Sequence, residues 1–172
     1  MFQRARSEEQ REARRQAILG AAAAMLAEMP VAEVTLNELS RRAGLAKSNV
    51  LRYFESREAV LLELLDSAWQ DWLAQLDAEL ADAVMTGDPV ASRADQLAAA
   101  LAASLAARPM LCDLISAQAA VLERNVSPQV AAQYKRASIA GISALGALLL
   151  VLQIVQTGVF IRHGALHTGD CH

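Results

Sequence analysis

The stretch TLNELSRRAGLAKSNVLRYFESR, residues 35–57, decides the fold. Thr35-Leu36-Asn37-Glu38 has the threonine and glutamate of a capping box, so a helix opens there. Leu36, Leu39 and Ala43 share one face of it. Gly44 follows where a left-handed terminating residue is wanted, a conformation that costs glycine little. A second short helix is expected over Ala46 to Phe54. Val50 and Phe54, four apart, turn inward with Leu45, whereas Lys47, Ser48, Leu51 and Arg52 take the opposite side. Two helices joined by a glycine turn, with a polar face on the second, form a helix-turn-helix, whose second helix fits the major groove of DNA.

The outward residue types suit that groove. Arginine forks onto guanine and asparagine onto adenine, so Lys47, Ser48, Asn49 and Arg52 are candidates for base edges and phosphates. Thr35 and Ser56 stand at helix N-termini, where free backbone N–H groups hold phosphate oxygens. Tyr53 and Arg57 are further phosphate anchors. The plainer alternative has Thr35 and Ser56 only capping and the arginines only solvated. A solvated face would need neither the glycine turn nor the inward triplet Leu45, Val50 and Phe54.

Outward from this stretch, 172 residues make one domain or two small ones with a real core. Thirty-six alanines against four prolines and eight glycines favour helices, and no segment alternates cleanly apolar and polar, so the fold is all-α. The net charge of −3 argues against indiscriminate coating of nucleic acid. Residues 1–65 carry 10 basic and 9 acidic side chains, residues 66–172 carry 6 and 10, so cations concentrate at the N-terminal end. Cys112 and Cys171 make no disulfide framework and the charged opening MFQRARSEEQREARR is no signal peptide, which points to the cytoplasm.

The first helix is expected from a capping box at Ser7 to about Glu28, with Ala17, Ile18, Ala21, Met25 and Leu26 inward. Ser56 opens a fourth helix that runs to the Gly87-Asp88-Pro89 break. Residues 90–107 and 109–123 form two more amphipathic stretches, and Ser127-Pro128 starts a last helix. Residues 137–161 run for 25 positions without a charge, long enough to cross a bilayer. Gln153, Gln156 and three glycines make the run only moderately apolar, and a helix apolar all round also suits a dimer core, so no membrane partner is expected.

The run from Thr35 to Leu61 resembles the signature of the TetR family of bacterial transcriptional regulators: a threonine-led helix, an Ala-Gly turn, a recognition helix, then Tyr-Phe-x-Ser-basic-Glu-Ala. The likeness covers about residues 12–65. It implies an N-terminal three-helix DNA-binding domain, residues 1–55, followed by a helical ligand-binding and dimerisation domain, residues 56–162, and a flexible tail, residues 163–172. It further implies a homodimer on a double-stranded palindromic operator, usually a repressor, released by a small-molecule effector of unknown identity. By the same resemblance Thr35, Tyr53 and Arg57 match phosphate-contacting positions. Lys47, Ser48 and Asn49 match the exposed start of the recognition helix, and Arg4 and Arg6 lie where some members have a minor-groove arm. Ala46 replaces the usual serine, which removes a side-chain cap worth about 1 kcal/mol. Leu51 replaces a frequent tyrosine, and its contact with a thymine methyl is a substitute.

RPMLCDLIS from Arg108, with LERNVSP from Leu122, is similar to one C-terminal subtype of the family. Beyond about residue 145 the similarity ends where members generally add two helices. The expectation is therefore a chain short for the family, by nature, truncation or frame-shift. Trp69, Trp72, Met110 and Cys112 are candidates for lining an effector pocket, against the plainer reading of such residues as core. His163, His167, Cys171 and His172 have spacing for zinc or nickel, but Gly164 and Gly169 weaken a helix there, and neither metal nor cofactor is expected. No catalytic constellation is present in the sequence, so no enzyme is expected. The alternative from another class is a helical interaction or membrane-associated protein with a vestigial helix-turn-helix and a truncated dimerisation region.

Overall fold

The computed structural model describes the backbone of residues 2–84, 90–118 and 122–166, and side chains from residue 8 to residue 150 apart from 77, 80–94, 119–121, 123 and 148. The described chain is all-α: α1 Phe2–Leu26, α2 Leu36–Arg42, α3 Lys47–Val50, α4 Arg57–Val84, α5 Val90–Ala106, α6 Pro109–Ala117 and α7 Pro128–Leu166. Short 3-10 turns at Val31–Glu33 and Glu123–Asn125 join them. The first helix thus begins before Ser7, and α7 carries the chain through residues 163–166, the start of the expected tail. The histidine and cysteine set of the tail lies outside the described side chains.

Ile18, Leu19, Ala22 and Met25 of α1 are buried against Val31, Val34, Leu39, Val50 and Phe54. Fully burying one such side chain stabilises by about 1.5–3 kcal/mol. Ala17, expected inward, is exposed. α1 is so rich in alanine after Gln16 that no polar residue marks its outer face, and Leu19 takes the place given to Ala17.

α4 is the shared wall, packing on α1, α5, α6 and α7. Its first turns bury Ala59, Val60, Leu61, Leu62, Leu64 and Leu65. Farther along, Trp72 and Leu76 are buried, with Leu111, Leu114, Leu122 and Tyr134 completing the core of the C-terminal half. Pro109 stands at the first position of α6, and α5 from Asp95 and α6 meet at 88°. Among the described residues no single helix is long and apolar enough to cross a membrane, although the bent pair of α5 and α6 reaches that length and composition together.

Among the described residues polar links tie the two halves at several points. Arg15 on α1 donates to both carboxylate oxygens of Glu63 on α4, donates to the Tyr53 carbonyl at 3.1 Å, and lies 4.4 Å from the centre of the Phe54 ring. The Val31 amide donates to Asp113 Oδ2 on α6 at 2.7 Å. The Ser127 amide, at the mouth of α7, donates to Glu55 Oε1 at 2.5 Å. Within the N-terminal half, Glu38 accepts from Arg41 and Arg42, and Arg42 reaches on to Glu28 of α1.

Two predictions follow from this packing. Gly44 has φ +66°, so Gly44→Ala should lower stability by about 1 kcal/mol, read as a lower denaturant midpoint at unchanged slope. Hydrogen bonds from Arg41 and then Arg42 hold the Glu38 carboxyl down at about 2, from an ordinary 4.5. A depressed carboxyl stabilises the fold above its unfolded pKa, so this contribution is present above pH 4.5 and disappears as pH falls towards 2. The difference in Tm between the parent chain and Glu38→Gln should shrink over that window.

Candidate nucleic-acid interface

Thr35 Oγ1 accepts from the Glu38 amide at 3.2 Å and starts α2 as a side-chain cap. Gly44 closes α2, and the Leu45 amide returns to the Ser40 carbonyl at 2.9 Å. α3 then begins at Lys47 behind Ala46, which is extended and makes no side-chain cap bond. α3 is one turn long, Lys47–Val50, where a helix to Phe54 was expected. The reason is a tightening of the chain. The Arg52 and Tyr53 amides bond to the carbonyls of Asn49 and Val50, three residues back, at 3.2 and 2.9 Å. That turn still carries Phe54 inward, beneath the Arg15 guanidinium.

The expected contact residues lie on the outer side of this short helix and the turn after it. Lys47, Ser48 and Arg52 are exposed, Leu51 is 43% exposed, and Asn49 is half-buried. These side chains stand within six consecutive residues, anchored by Val50 at zero exposure. Among the described residues the side chains of Lys47 and Arg52 make no ion pair or hydrogen bond, and the same is true of those of Arg11 and Arg14 on α1. By contrast Arg15, Arg41, Arg42 and Arg57 all hold carboxylates. The unpaired cations of α3 thus remain available for phosphates or base edges.

Two of the expected phosphate anchors have partners within the protein. Arg57 bonds to the Val34 carbonyl and pairs with Glu58 at 2.9 Å, clamping the start of α4 to the segment before α2. Ser56 Oγ accepts from the Ala59 amide at 3.1 Å and caps α4. Tyr53 is half-buried and lines a cleft of about 480 Å3 with Glu55 and Tyr134, between the α3–α4 turn and α7. Thr35 is exposed, with its hydroxyl engaged in its own cap. The backbone at Arg4 and Arg6 belongs to α1, and their side chains are outside those described.

The residues expected around an effector separate into two places. Trp72 and Met110 line a cleft of about 730 Å3 between α1, α4 and α6. Trp69 faces the other way, into a cavity of about 170 Å3 against α7. The two indoles meet edge to face, 5.0 Å between centres. Cys112 is half-buried and its thiol donates to the Leu105 carbonyl at 3.3 Å. Spacing of three along α4 put the tryptophans on one face, but α4 lies between α5 and α7 and each ring packs on a different neighbour. Arg15, Glu55, Glu63 and Asp113, which couple the halves, were not singled out from the sequence. Asp113 had a visible signal as the one charge in α6, PMLCDLISA.

Residues 18–64 match the family model for bacterial regulatory proteins of the tetR family, and residues 66–150 match that for a tetracyclin repressor-like C-terminal domain. Over 50 residues the chain is 42% identical to the HTH-type transcriptional regulator EthR of Mycobacterium tuberculosis, and equally to that of Mycobacterium bovis. This alignment takes in 29% of the chain and 23% of EthR, so the chain spans under a quarter of the length of these relatives. The fold is similar to that of the fatty acid degradation regulator FadR from Bacillus halodurans, with a TM-score of 0.50 at 16% identity over 86% of this chain and 78% of that one. A putative tetR family regulator from Shewanella sp. PV-4 gives 0.49 at 17% identity over 91% and 89%. With both domains matched in order and the helix-turn-helix geometry in place, the chain belongs to the TetR family of bacterial transcriptional regulators.

Proposed function

We propose that the protein represses transcription by holding a palindromic operator as a homodimer through α3, and lets go when a small-molecule effector enters its C-terminal helices. The observation that carries this reading is the selective availability of charge. Lys47 and Arg52 stand outward and unpaired beside Ser48 and Asn49, while the cations of α2 and α4 are neutralised at home. Such an arrangement supports readout in the major groove by one short, rigidly based helix.

One helix-turn-helix makes too few contacts for strong specificity, and two copies would read half-sites about 34 Å apart. The surface that supports pairing is on α7. Ile139, Ile142 and Leu150 are 65, 61 and 57% exposed, an unusual amount of aliphatic surface on one helix. In this reading residues 1–55 bind DNA and residues 56–162 bind effector and partner. Thr35, Tyr53 and Arg57 position the DNA backbone, the last two through the conformation of the α3–α4 turn. The protein works in the cytoplasm and catalyses no reaction.

DNA selected from a random duplex library by the intact protein provides the test. Good bidentate base contacts are each worth about 1–3 kcal/mol, so Lys47→Ala with Arg52→Ala should weaken binding by about a hundredfold or more in a gel-shift titration. The helical circular-dichroism signal should not change. Unaltered affinity would remove α3 from the interface. Separately, Ile139→Glu with Leu150→Glu should convert a dimer to monomers in light scattering and weaken DNA binding in parallel. A parent chain that is monomeric at tens of micromolar when bound to DNA contradicts the dimer.

A further inference from the structure

We infer that Leu51 reads the 5-methyl group of a thymine in each half-site that α3 enters, and so helps to determine which operator is bound. This rests on the placement of α3 in the major groove and adds a base that the operator must carry. Among the described residues the exposed large aliphatic side chains are Leu51, Ile115, Ile139, Ile142 and Leu150. Of these, Leu51 alone belongs to the DNA-binding half. A single exposed leucine is ordinary on a protein surface. What sets this one apart is its position.

The Leu51 amide donates to the Lys47 carbonyl at 3.1 Å, so Leu51 stands one helical turn beyond Lys47. At about 3.6 residues per turn it projects between Lys47 and Ser48, with Arg52 on the far side of Ser48. The two long cations thus bracket Leu51 and Ser48, and the shorter pair between them faces the floor of the groove. Leu45, Val50 and Phe54 pack the motif from inside without Leu51, which keeps 43% of its surface exposed. Asn49, by contrast, is half-buried.

A leucine carried into the major groove loses its remaining water, and what lies opposite decides whether that helps. The groove floor offers acceptors on guanine, adenine and thymine, amino donors on adenine and cytosine, and one apolar group, the thymine methyl. Against a polar edge the leucine displaces water and returns no hydrogen bond, which costs affinity. Against the methyl both surfaces are apolar, and burying them together stabilises the complex. Leu51 therefore discriminates by penalty as well as by attraction. Its neighbour Ser48 is the less selective partner, since a hydroxyl both donates and accepts.

The probe is duplex DNA selected from a random library by the intact parent chain. Each thymine in turn is replaced by deoxyuridine, which removes the methyl and leaves the hydrogen-bonding edges unchanged. At one position per half-site the replacement should weaken binding about fourfold in a gel-shift titration, the value of one buried methyl group. Leu51→Ala should bind the thymine and deoxyuridine duplexes alike. At the same position 5-methylcytosine should bind the parent about fourfold more tightly than cytosine, and Leu51→Ala no more tightly. A selected half-site without a fixed thymine, deoxyuridine tolerated at every position, or no gain from 5-methylcytosine overturns the contact. So does a preference that survives in Leu51→Ala, with both duplexes weakened by one factor, because that is a structural loss. Lys47→Ala with Arg52→Ala is titrated beside them. If that variant releases the DNA while the Leu51 comparison is flat, α3 stays in the groove and only the methyl contact falls. If it binds as before, the placement of α3 falls and the contact with it.

Discussion

A charged residue in the most crowded turn of the molecule constrains everything around it. From Ala59 to Leu65 each residue of α4 is buried except Glu63, because α1 and α7 both lean on this turn. The carboxylate keeps about a third of its surface in water and meets its partner at the edge of the packed turn. Arg15 supplies the match and does more with the same guanidinium: it closes the α3–α4 turn through the Tyr53 carbonyl and covers Phe54. Arg15 thereby helps to fix the angle between the DNA-binding helices and α4, together with the Arg57–Val34 contact and the shared apolar core. Apolar burial alone would tolerate a small rotation there, whereas a forked ion pair does not.

Two further links have a different character. Each uses a backbone amide at the edge of one half and a carboxylate from the other, Val31 with Asp113 and Ser127 with Glu55. The two halves share α4 and one apolar core, and these directional bonds are added at its edges. Such bonds have made and unmade states, which is what a two-state coupling between distant sites requires.

The DNA-binding end was legible in the sequence because its signals are local. Thr35 caps α2, Gly44 takes the left-handed turn and Ala46 leaves α3 uncapped, as the residue types imply. The length of α3 was misread because Val50 and Phe54 keep helical spacing even when the intervening turn tightens. The roles of Arg57 and Arg15 were less accessible, since a surface cation and a clamp have the same letter and differ only in what lies opposite. The same limit applied to Trp69 and Trp72. Their shared face on α4 was readable, but which neighbour met each ring depended on the packing of α5 and α7. Alanine deepened the ambiguity in α1, where small residues occupy every face.

The sorting of arginines into paired and unpaired has a consequence for life among bulk DNA. Grip on arbitrary sequence comes from cations that displace counterions, and Arg41, Arg42 and Arg57 have already given their charge to Glu38, Glu28 and Glu58. With a net charge of −3 and these three arginines paired, the chain grips arbitrary sequence less than its number of cations suggests.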